Sequence, residues 1–136
     1  MSARKVPAQG VIRVEVPANL PPNSTIQADI QVDEREGFFT FQQVPASEAW
    51  VIEDVFVTST PSIDISLYFF KNRLQQIAKV GPMSTRLVSN PSRPPTAPMV
   101  YGPTSILTVQ AVNLVAGGAS PTTLLIHFIF SRIVAG

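Results

Sequence analysis

An all-β fold, a sandwich or a barrel, is what this chain of 136 residues predicts. Three observations lead there. Apolar and polar residues alternate with period two over much of the length, as in sheets with one buried face. Clusters of Gly, Pro, Asn and Asp cut that alternation into eight to ten short segments. No segment carries a convincing helical stripe, and no internal repeat suggests a solenoid or propeller.

The clearest stretch is Glu48 to Phe70, EAWVIEDVFVTSTPSIDISLYFF. It reads as a hairpin turning at Thr58-Ser59-Thr60-Pro61. In its second strand Ile63, Ile65, Leu67 and Phe69 share one face, and Ser62, Asp64, Ser66 and Tyr68 the other. Its first strand is apolar on both faces, Trp50, Ile52 and Phe56 opposite Val51, Val55 and Val57. That suits a central strand whose outer side is also covered. The hairpin holds the chain's one Trp and is expected at the middle of the core, with Trp50, Ile52, Phe56, Ile65, Leu67 and Phe69 as core residues.

Before it, Met1 to Gly10 lacks periodicity and reads as a flexible arm, leaving residues 11–136 as a single domain. Val11 to Val16 and Ser24 to Val32 alternate as strands around a Pro- and Asn-rich loop. Asp33 to Gly37 is a charged turn, and Phe38 to Val44 a strand that Pro45 stops. After the hairpin, Lys71-Asn72-Arg73 forms a turn into Leu74 to Val80. A short helix over Arg73 to Lys79 is the competing reading, since Leu74, Ile77 and Ala78 also fit one helical face. Gly81-Pro82 closes that segment, and Ser84 to Ser89 is a candidate strand. Asn90 to Pro103 carries five of the thirteen prolines. It predicts a stiff crossover with at most a short edge strand at Met99 to Tyr101. Thr104 to Val115 alternates again. Thr122 to Val134 is long and apolar on both faces, which suits a central or covered strand.

Charged residues make up 14% of the chain and hydrophobic residues 45%, against roughly 25% charged in an average soluble domain. A monomer needs charge to stay apart from its copies, so much of this surface is expected to be covered by neighbours. The net charge of +1 exerts no general pull on nucleic acid or membrane. No apolar run reaches the ~18 residues of a membrane-spanning helix, and the start lacks the apolar core of a signal peptide.

The residues argue against chemistry. With no cysteine and one histidine, His127, set among Leu125, Ile129 and Ile133, no zinc site or nucleophile–base pair can be built. Glu53 and Asp54 are neighbours in a strand and point to opposite faces, so they cannot share a proton as a catalytic pair does. One of them must face inward or toward a partner, where Arg86, Arg93 or Arg132 could satisfy it. Asp29, Asp33, Asp54 and Asp64 are too scattered for a calcium loop. Basic residues are dispersed apart from Arg4-Lys5 and the Lys71/Arg73 turn, which leaves weak phosphate contact by the arm. No catalytic, cofactor or metal-binding residue is assigned, no specific small-molecule ligand is implied, and the chain reads as a non-enzyme.

The segments AWVIEDVFV, DISLYFFKNRLQQIAKVG and PMVYGPTSILTVQAVNL, hairpins followed by a proline-rich crossover and two long strands, carry a resemblance. With the basic start and the sparse charge, the chain resembles the single jelly-roll capsid (coat) proteins of icosahedral viruses, in the vertical arrangement that includes viruses of hot-spring archaea. The resemblance is one of pattern over most of residues 11–134. It implies an antiparallel β-sandwich of about eight strands and a structural virion protein, assembled in the host cytoplasm. Its partners would be copies of itself and other capsid or vertex proteins, with weak genome contact through the arm. Lack of cysteine and abundance of proline would suit a thermophilic archaeal host. Met99, Val100 and Tyr101 of the stiff crossover, with Arg4 and Lys5, are the expected interface residues. Two other classes stay open: a receptor- or carbohydrate-binding β-sandwich of a viral spike or fibre, using Tyr68 and Tyr101, and a cupin-type enzyme, which would need several histidines.

Overall fold

The computed structural model describes residues 3–33, 37–57, 64–72, 75–84 and 99–134. Among them are nine strands and no helix: β1 (Arg4–Val16), β2 (Thr25–Val32), β3 (Gln42–Gln43), β4 (Glu48–Val57), β5 (Asp64–Lys71), β6 (Gln75–Ser84), β7 (Met99–Tyr101), β8 (Ile106–Asn113) and β9 (Thr122–Val134). Apart from the two-residue β3, the pairing is nested. β1 pairs with β9, β2 with β8, β4 with β7 and β5 with β6, all antiparallel. First meets last and the pairing closes inward, so the chain is one long hairpin of four strand pairs, rolled up. That is a jelly roll.

Rolling adds two lateral contacts, β9 with β4 and β8 with β5. They complete two four-stranded sheets, β1-β9-β4-β7 and β2-β8-β5-β6. The two join along β2, whose first residues, Thr25 to Gln27, pair with β8 while Ala28 to Val32 pair with β1. A strand that changes sheets leaves a gap behind it, and the segment around β3 fills this one. Phe39 bridges to Ile30, and Gln42 and Gln43 pair with Leu107 and Ile106. The buried Gln42 amide donates to the Ile30 carbonyl at 2.9 Å, which satisfies a group the departing strand would otherwise orphan.

Alternation decides what lies between the sheets. Ile12, Val14, Ile30, Ile52, Leu124, Ile126 and Phe130 from one side meet Ile65, Leu67, Phe69, Leu107 and Ala111 from the other, all at most 1% exposed. Trp50 is buried against Phe130, ring centroids 5.1 Å apart.

Several expectations are corrected. Glu48 to Phe70 is not a hairpin, because β4 and β5 belong to different sheets. Two sequential strands with an apolar face each can pair edge to edge or stack face to face, and period-two alternation is the same in both. The turn expected at 58–61, and Ile63, lie outside the described residues. The arm expected over 1–10 is strand from Arg4 onward, paired with β9 from Arg4↔Val134 to Gly10↔Phe128. Pro7 is tolerated because β1 there has β9 on one side only, β2 joining at Gly10. Gly10 leaves a space that the Phe128 ring occupies. Phe56 is half-buried rather than core. A bulge between Ile52 and Asp54 inserts one residue against β9, so Val55 takes the inward position and Phe56 turns outward.

The strand expected over Phe38 to Val44 reduces to β3 and the Phe39 bridge. Residues 75–84 are strand, not helix, and β6 runs through Gly81-Pro82 to Ser84. Asn72, at φ 56°, supplies the left-handed turn before it. Residues 34–36 of the charged turn, the candidate strand at 85–89, and Asn90 to Pro98 lie outside the described residues.

Candidate functional site

Two surfaces stand out, and neither has the constellation of a reaction centre. The first is the outer face of the β1-β9-β4-β7 sheet. Register sets Val11, His127 and Phe56 side by side, then Ile129 beside Asp54, then Pro7, Ser131, Val51 and Val100. The His127 and Phe56 rings stack at 5.6 Å and 12°. Val100 is 46% exposed, while Val11, Val51, Phe56 and Ile129 are half-buried. This is an apolar stripe on the solvent side of a sheet, as the double-sided sequence of β4 and β9 requires.

Glu53 and Asp54 edge that stripe, and the bulge keeps both off the core side. Glu53 accepts a hydrogen bond from Ser131 and pairs with Lys5 at 3.3 Å. Those two hydrogen bonds, Ser131's the larger, hold its carboxyl below the usual range. Asp54 Oδ1 accepts from the Val55 amide at 2.9 Å. Neither is the inward carboxylate expected from the sequence.

That carboxylate is Glu48, in the second surface, a groove of about 970 Å³ at the sandwich end where β2 and β9 finish and β4 begins. The Arg132 guanidinium donates to Glu48 through Nε at 2.6 Å and NH2 at 2.9 Å, and lies 3.3 Å from Asp33. The Trp50 indole adds a longer donation to Glu48 at 3.3 Å. Hydrogen bonds to Glu48 push the Arg132 pKa up, so the guanidinium is a permanent cation. Aromatic side chains line the rest: Phe38, whose far face carries the Arg13 guanidinium at 4.4 Å, with Phe39 and Phe41. Phe39 is 52% exposed and Phe41 37%.

Of the expected interface residues, Met99 and Tyr101 are fully buried, and only Val100 faces out. The three-residue β7 alternates like any strand, and pairing with β4 turns its odd positions inward. Tyr101 donates its hydroxyl to the Phe70 carbonyl at 3.1 Å, and burial pushes its phenol pKa up. It is therefore a core residue, closed to a glycan. Arg4 and Lys5 are exposed strand residues at the start of β1. Among the described residues, no group of three His, Cys, Asp or Glu side chains could hold a metal ion.

The groove went unrecognised in the sequence. Its signal is the pair Phe39 and Phe41, two residues apart, after an acidic run. The two halves come together only because β2 and β9 end where β4 starts. The outer face of the β2-β8-β5-β6 sheet is polar by contrast, with Tyr68 under the Lys79 ammonium at 5.6 Å and Gln110 beside it.

No protein-family model matches the chain, and no curated protein matches it. Three solved structures contain similar chains. One is the capsid asymmetric unit of cyanophage Pam1, at 9% identity and TM-score 0.48, covering 99% of this chain and 88% of that one. Murine APRIL follows at 13% and 0.36, over 89% and 98%. The third is a disulfide-linked pilus of Bacillus endospore appendages, at 12% and 0.33, over 99% and 95%.

Proposed function

We propose that this chain is a structural virion protein whose jelly roll self-associates into an icosahedral capsid shell. The observation that carries the reading is the apolar stripe on the outer face of β1-β9-β4-β7, on a chain with 14% charged residues. An apolar sheet face left in water favours contact with another surface. Copies of the same chain are the partner this reading requires, with buried contacts of at least ~1,000 Å² for a specific assembly. Other capsid or vertex proteins would join the same shell. Genome contact is confined to the exposed Arg4 and Lys5, and would be weak and salt-dependent. A thermophilic archaeal host rests on the absent cysteine and the thirteen prolines alone.

The test is sedimentation and electron microscopy of the purified chain across concentration and salt. Large particles or sheets are expected, and their loss when Val51 and Ile129 are both changed to Ser. A chain that stays monomeric throughout overturns the reading. A small closed oligomer that binds glycans would replace it with a receptor-binding β-sandwich.

A further inference from the structure

From the aromatic groove at the Glu48 end of the sandwich, we propose that it receives the proline-rich segment Asn90 to Pro98 of a second copy, so that copies dock head to tail. The inference rests on the self-association reading and supplies its surface and its partner segment.

The groove's chemistry comes first. Phe38, Phe39, Phe41 and Trp50 present ring surfaces around it, and Asp29, Asp33 and Glu48 face Arg132. That is three carboxylates against one guanidinium. Counting Arg13, which pairs with Asp29 at 3.5 Å, one carboxylate is still in excess. An acidic groove walled by aromatic rings suits a cationic, proline-rich strand. Such strands dock at low entropic cost because polyproline II geometry is already extended and stiff.

This chain contains one such segment. Residues 85–98 read TRLVSNPSRPPTAP, with two arginines and no acid. Polyproline II has three residues per turn, so in that geometry Asn90 to Pro98 would place Pro91, Pro94 and Ala97 on one edge. Ser92, Pro95 and Pro98 would form a second edge, and Asn90, Arg93 and Thr96 the third. Two edges are then suited to aromatic contact, and the third carries the cation.

Position favours a second copy. Ser84, from which the segment leaves β6, pairs with Asp64 at the start of β5. The other end of β5, Lys71, pairs with Leu107, which also pairs with Gln42 of the groove wall. Seven residues of strand, roughly 23 Å, separate the segment's root from the groove end. Far end to groove is a heterologous contact, which repeats into rings or chains instead of closing as a dimer.

The first test uses Trp50, the chain's one Trp and part of the groove wall, as reporter. A synthetic peptide of residues 88–98 titrated into the full-length chain should change Trp50 fluorescence saturably. Arg93→Glu in the peptide, or Phe39→Ser with Phe41→Ser in the protein, should weaken binding at least about tenfold. Both phenylalanines are exposed, and a circular dichroism spectrum matching wild type confirms that the variant folds. The second test mixes two variants. Copies with F39S/F41S and copies with R93E/P94S/P95S should each fail to form head-to-tail assemblies, and together they should form 1:1 dimers and nothing larger. No Trp50 response to the peptide overturns the inference, whatever the wild-type chain does in the centrifuge. Assembly of both variants like wild type also overturns it, and leaves the shell reading to the outer sheet face. Failure of the wild type to assemble while the peptide binds would sink the shell reading alone.

Discussion

The two sheets share one core but present unlike faces to solvent. Outside β2-β8-β5-β6, the register sets Tyr68 beside Gln110 and Lys79, and Ser66 beside Val112. Outside β1-β9-β4-β7 lie Val11, Phe56, Ile129, Val51 and Val100. Burial within the chain accounts for the inner faces equally, so it cannot account for this difference. An apolar outer face contributes nothing to the stability of the isolated chain, and its value must lie in what covers it. The polar outer face needs no cover.

If both inner faces are one core, Trp50→Ala in the first sheet and Phe69→Ala in the second should each cost about 3–5 kcal/mol, as large-to-small aromatic changes in cores do. Chemical denaturation measures both. A loss under about 1 kcal/mol in either sheet would mean that its inner face is not packed. A smaller effect is expected at Gly10, where an added Cβ would run into the buried Phe128 ring. Gly10→Ala should cost about 1–3 kcal/mol, the usual range for overpacking. Were residues 1–10 an arm, the same change would cost nothing.

The outer faces should separate stability from assembly. Ile129→Ser should change the stability of the dissociated chain by under about 1 kcal/mol, as surface changes do, yet reduce sedimenting particles. Gln110→Ser on the other sheet should leave both unchanged. Equal effects on assembly would erase the distinction between the faces. His127→Gln belongs to the first group, since the ring stacks on Phe56 within the stripe.

The smallest effect concerns Glu53. Its carboxyl pKa is lowered below the ordinary 4.5 by Ser131 and Lys5. Its stabilisation is therefore present above pH 4.5 and is lost as the pH falls through the lowered folded value. Glu53→Gln should flatten that part of the pH–stability curve slightly, because the side chain is 42% exposed and solvent screens the pair. A stability rise on acidification of wild type, absent in the variant, would contradict the assigned sign.

Much of this was legible from local pattern. Alternation along 24–32 and 104–115 marked β2 and β8 with their inward residues, because a strand's two faces repeat every second residue whatever its partner. The apolar doubling of β4 and β9 showed that an outer face would need a cover. Three things were decided only by the tertiary structure. Whether β4 and β5 pair or stack depends on connection geometry, which alternation does not encode. Residues 4–10 become strand because β9 offers them a partner and Phe128 fills the space at Gly10, a contact 118 residues distant in the chain. And the bulge after Ile52, set by the register with β9, turned Phe56 outward and left Glu48, not Glu53 or Asp54, to meet Arg132 between the sheets. Each of these is a long-range pairing, and a long-range pairing has no signature in either of the segments it joins.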